Sequence, residues 1–143
     1  MVSYSQAFQE GLAAAEKRER DNKEIEEVFA HLNREINIDS GGKLQFIIEE
    51  RVRERLSSFL ILARNPKVSD TPTLILARWK QDRAGYPCKI SWGDREYICA
   101  DREALENTLA ELLRDPIVGR MLDTLMKLDE EHSSIQEDLE KME

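Results

Sequence analysis

Matching heptad stripes at its two ends limit what this chain can fold into. Gly11, Ala15, Arg18, Asn22, Ile25, Phe29, Leu32 and Ile36 recur at alternating four- and three-residue steps, and Met121, Leu125, Leu128, His132, Ile135, Leu139 and Met142 do the same. That spacing places each set on one side of a helix, where a second helix can receive it knobs-into-holes. At 143 residues the chain has room for one core rather than two, so both stripes must be reconciled with the region between them.

That region reads as β. A first helix over residues 4–37 starts after Ser3, whose spacing to Gln6 fits a capping box, and stops at the turn residues Asp39, Ser40, Gly41 and Gly42. Residues 43–100 form a β-rich body. Leu44, Phe46, Ile48 and Val52 alternate with polar neighbours as on a half-buried strand, although apolar Ile47 breaks the pattern and leaves a helix through Glu49–Leu56 open. Ser58–Arg64 and Thr73–Lys80 read as further strands. Gly93-Asp94 suits a two-residue hairpin turn that pairs Trp92 with Arg95, Ile90 with Tyr97 and Cys88 with Cys99. Asp101 then caps a short helix over 102–114, and Asp115-Pro116 starts a last helix over 116–142, with Asp as cap and Pro at its first position. The expected fold is a single α+β domain: an antiparallel sheet of about four or five strands, a short covering helix, and two long terminal helices packed as a coiled-coil-like stalk or a dimer seam.

Tests for chemistry return little. The two histidines, His31 and His132, share no metal-binding spacing, and neither belongs to a recognisable nucleophile–base set. The acidic C-terminal stretch lacks an EF-hand loop, and no phosphate-cradling glycine motif is present. Cys88 and Cys99 oppose one another in the expected hairpin at a spacing compatible with a disulfide, but a pair of reduced, buried thiols is the favoured reading. We therefore expect no enzyme, no cofactor and no metal.

Charge is unevenly spread. Residues 1–42 hold five basic and nine acidic side chains, residues 43–100 eleven and seven, and residues 101–143 five and thirteen, within a net charge of −8. Acidic helices repel nucleic acid and membrane surfaces, so a basic protein partner suits them better. The start of the chain lacks a signal-peptide pattern and no apolar run approaches the ~20 residues of a membrane helix, which gives a cytoplasmic expectation. Size and charge resemble those of small acidic α+β chaperones and immunity proteins as a class, which implies an interaction role but no family.

The expected function is thus a non-enzymatic interaction module, acting as adaptor, chaperone or inhibitor-type regulator through helical surfaces. Its partner-binding or homodimer seam comprises Ile25, Phe29, Leu32, Ile36, Met121, Leu125, Leu128, Ile135 and Leu139. The alternative is a nucleic-acid surface on the basic middle region, using Arg51, Arg53, Arg55, Arg78 and Lys80, with Trp79 available for stacking. It ranks second because Glu49, Glu50 and Glu54 interrupt the cations.

Overall fold

A computed structural model gives the architecture, describing residues 1–70, 72–83 and 85–141, with side chains in the last helix described as far as Leu128. The fold is α+β: α1 (Tyr4–Asp39), then β1 (Gln45–Arg53), β2 (Leu56–Arg64), β3 (Leu74–Asp82), β4 (Gly85–Trp92) and β5 (Arg95–Cys99), then α2 (Arg102–Arg114) and α3 (Pro116–Lys141). The five strands form one antiparallel meander in the order β1-β2-β3-β4-β5. Short connections between sequence neighbours favour this topology.

Local chemistry accounts for most boundaries. The Ser3 hydroxyl accepts from the Gln6 amide and opens α1. Gly41 and Gly42, both at positive φ, close it while the Ser40 and Gly42 amides donate to the Ile36 and Asn37 carbonyls, each at 2.8 Å. Asp101 accepts from the Ala104 amide at the start of α2. Asp115 serves two elements: its Oδ1 accepts from the Ile117 and Val118 amides at the start of α3, and its Oδ2 accepts from Trp92 Nε1 in β4. The expected β4–β5 register is found, with Cys88 opposite Cys99, Ile90 opposite Tyr97 and Trp92 opposite Arg95. Between Glu49 and Leu56 the chain is strand rather than helix as far as Arg53, followed by a two-residue turn at Glu54-Arg55.

One face of the sheet carries the core. Phe46, Ile61, Ala63, Trp79, Cys88, Ile90 and Cys99 join Ile25, Val28 and Phe29 of α1, Leu105, Leu109 and Leu112 of α2, and Val118, Leu122 and Leu125 of α3 in one buried cluster. Phe29 meets Trp79 edge-on, with ring centroids 5.7 Å apart, and Trp92 stacks on Tyr97 at 5.1 Å. Asn33 on α1 bonds both backbone groups of Phe46, accepting its N–H at 2.7 Å and donating to its carbonyl at 2.9 Å, as a neighbouring strand would. The buried Asn65 amide donates to the Leu125 carbonyl and ties α3 to the β2–β3 connection.

The stripes do not make the expected stalk. Among the described residues, α1 packs on β1, β4 and α2, and α3 packs on α2. The inner parts of the two stripes, Ile25, Phe29, Leu32 and Ile36 of α1 and Met121, Leu125 and Leu128 of α3, pack in or against this chain's own core, because three- and four-residue spacing marks the buried side of a helix without saying whether a sheet or a helix covers it.

Candidate interaction surface

The middle of α1 is fastened to the start of β4. Gly85 has φ +106°, and a Cβ there would lie 2.8 Å from Asp21 Cγ and closer still to its carboxylate oxygen. Glycine therefore does two jobs: it tolerates the backbone angle, and it lets the helix approach. Asp21 Oδ2 accepts from the Tyr86 amide at 3.0 Å and from Lys17 Nζ at 2.6 Å. The Tyr86 hydroxyl donates to Glu24 at 3.0 Å, and Gln81 donates to Asn22. Burial alone would raise the Asp21 pKa, but the Lys17 and Tyr86 bonds outweigh it and hold the carboxyl below its ordinary value. Burial, together with the Glu24 bond, raises the Tyr86 phenol. Asn22 is thus a tie between α1 and β3.

N-terminal to this joint the helix is bare. Every residue from Met1 to Arg20 is exposed, including Tyr4, Phe8 and Leu12, which recur every four residues along one side. The β1–β2 hairpin is bare as well: residues 49–59 are exposed throughout, with Val52, Leu56 and Phe59 among them. Both projections leave from the same end of the sheet. Register places the β1–β2 turn and the β3–β4 turn at that end, since Phe59 pairs with Trp79 and Asp82 pairs with Gly85. α1 reaches it at Asp21 after starting its sheet contact at Asn33 near the other end, so residues before Asp21 run on past it.

Seven of the nine residues expected to form a partner seam lie in or against this chain's own core. Ile25, Phe29 and Leu125 are buried in the core, while Leu32, Ile36, Met121 and Leu128 are half-buried against it. Ile135 and Leu139, with His132, fall outside the described side chains. The basic set divides. Register puts Arg51, Arg53, Arg78 and Lys80 on the sheet face opposite the core, whereas Arg55 sits in the turn at φ 69°. Arg51 already donates to Thr73, and Trp79 points into the core and is not available for stacking.

The remaining groups offer little chemistry. Cys88 and Cys99 are free and fully buried, and Cys99 Sγ lies 3.4 Å from Thr108 Oγ1. Burial, reinforced by Cys99, pushes the Cys88 thiol up to about 12, and burial also raises Cys99, so neither is a ready nucleophile. Two open clefts flank α1. One, of about 420 Å³, is lined by Ala14, Ala15, Arg18, Glu19, Asn22 and Arg83; the other, of about 390 Å³, by residues including Asn33, Arg34, Asn37 and Arg64. Neither brings a nucleophile to a base. Among the described residues there is no metal-binding cluster of His, Cys, Asp or Glu, and no helix is long and apolar enough to cross a membrane.

No protein-family model, curated protein or solved structure matches this chain. Tyr4, Phe8 and Leu12 share an i, i+4, i+8 spacing in the sequence but fall outside the four–three alternation that continues into the core.

Proposed function

We propose that this chain is a non-enzymatic protein-interaction module, an acidic adaptor, chaperone or inhibitor-type regulator. One observation carries the reading: the N-terminal half of α1 presents Tyr4, Phe8 and Leu12 in a single exposed stripe that none of the described residues covers. Contiguous exposed apolar surface is a recognised mark of a binding site, and aromatic anchors are the residue types that dominate such sites. The acidic balance of residues 101–143 favours a basic partner and would speed its approach. Affinity capture from a nuclease-treated native extract, comparing the wild type with the full-length double variant Phe8→Glu/Leu12→Glu, tests the reading. A defined protein retained by the wild type and lost with the variant supports it. Equal retention by both would move the surface off α1.

The alternative has one observation in its favour. Arg53, Arg78 and Lys80 share the sheet face opposite the helices. A nucleic-acid surface there should lose binding steeply with salt and on Arg53→Glu/Arg78→Glu. It ranks second because Trp79, the stacking group it needs, is buried against Phe29.

A further inference from the structure

We propose that the bare half of α1 is one side of a two-fold dimer interface, and that the other side is the β1–β2 hairpin of a second copy. The inference rests on the interaction reading above and names the first partner as the chain itself.

The two projections are suited to each other. Register places Val52 and Phe59 on the core-bearing face of the hairpin, because Phe59 pairs with the inward-facing Trp79 and Val52 lies two residues beyond Glu50, the partner of Phe59 on β1. That face continues the core surface past the point where α1 covers it, and leaves apolar side chains in water. Tyr4, Phe8 and Leu12 present the matching helical stripe. Because helix and hairpin leave the same end of the sheet, a two-fold axis at that end can bring each helix against the hairpin of the other copy. The result is an isologous, closed interface.

Area supports a second copy. Tyr4, Phe8 and Phe59 are 84%, 63% and 44% exposed. At roughly 150–250 Å² per aromatic side chain, these three alone offer on the order of 300–500 Å² per chain. Doubled by symmetry and extended by Leu12 and Val52, this reaches the ~1,000 Å² expected of a specific interface. A helix-to-helix contact of the α1 stripes alone would leave Phe59 and Val52 in water.

Sedimentation or light-scattering mass at micromolar concentration tests the proposal. Wild type should run near twice 16.6 kDa. Phe8→Glu and Phe59→Lys should each run as monomers with unchanged helicity and with the denaturation midpoint of wild type diluted to monomer, as expected for exposed sites; Val52→Lys serves as a second hairpin variant. An equimolar mixture of Phe8→Glu and Phe59→Lys should regain the dimer mass, because one contact is then native and the other pairs Glu with Lys. A monomeric wild type, a dimeric Phe59→Lys, or a mixture that stays monomeric would each overturn the exchange. If wild type is monomeric yet Phe8→Glu still loses a captured partner, the interaction reading stands and only the second copy is rejected. If Phe8→Glu alters neither mass nor capture, both are rejected.

Discussion

The two halves of α1 are one uninterrupted helix with opposite fates. From Asp21 onward its side chains hold a sheet: Asp21 and Glu24 grip β4, Ile25, Val28 and Phe29 enter the core, and Asn33 completes the hydrogen bonding of β1. Before Lys17 no comparable anchor is made among the described residues, yet the helix still carries aromatic residues on one side. Helix periodicity therefore separates a buried side from a wet side but does not tell a core-building stripe from a docking stripe. The difference is supplied by what the sheet reaches, and the sheet ends at Gly85.

The sharpest way to break this contrast is to make the same change in both halves. Phe29→Ala removes a ring wedged against Trp79 and should cost about 3–5 kcal/mol of unfolding free energy. Phe8→Ala removes an exposed ring and should change monomer stability by no more than about 0.5 kcal/mol. Denaturant titration of a dilute sample checks both. Comparable losses would mean that the N-terminal half is packed after all.

Next in size is the joint itself. Gly85→Ala forces a side chain into a φ of +106° and against the Asp21 carboxylate, and should cost about 1–3 kcal/mol from the backbone alone. Adding Asp21→Ala removes the clash but not the strain. The double variant should therefore be less destabilised than the two single losses combined, by about 1 kcal/mol. Strict additivity would show that the helix and β4 do not meet there.

Acid should loosen the same joint. The Asp21 pKa is lowered in the fold from an ordinary 3.8, so its contribution is fully present above that value and is lost as pH falls through the lower folded value. Asp115, held down first by the Ile117 amide and then by Trp92, acts with the same sign at the far end of the core. Comparing wild type with Asp21→Asn isolates the joint: their stability difference should shrink as pH drops below 3.8. A gap that stays constant would remove Asp21 from the account.

The two terminal hairpins of the sheet show where sequence reading succeeds and fails. At β4–β5, Gly93 supplies the positive φ that a tight turn needs, and the alternating Cys88, Ile90 and Trp92 fix which face is buried, so the register was legible to the residue. At β1–β2 the turn is Glu54-Arg55, two side-chain-bearing residues at φ 51° and 69°, and no turn signal marks it. The surrounding strands are exposed on both sides, so no face imposed a clean alternation. The helix-or-strand ambiguity there had this physical cause. The heptad residues Ile25, Phe29 and Leu125 were legible as buried, but not their covering partner, because long-range packing between α1, α2 and the sheet leaves no mark in local spacing. Tyr4, Phe8 and Leu12 became candidates only once the end of the sheet was placed.

The smallest expected effect sharpens the contrast most finely. Gly11 sits inside α1 with open space where a Cβ would go, so no described residue of the chain requires glycine. In a helix interior glycine costs about 0.5–1 kcal/mol relative to alanine. Because this half of α1 can fray without disturbing the core, Gly11→Ala should leave the global melting temperature nearly unchanged while slowing hydrogen exchange over residues 4–16 in the monomer. The side of the helix shared by Phe8, Gly11 and Leu12 is also the one a second copy would approach, so the added methyl should weaken dimerisation while it strengthens the helix. Opposite signs for the two measurements would mark Gly11 as serving the contact, whereas matched gains would mark it as a weak point of the helix alone.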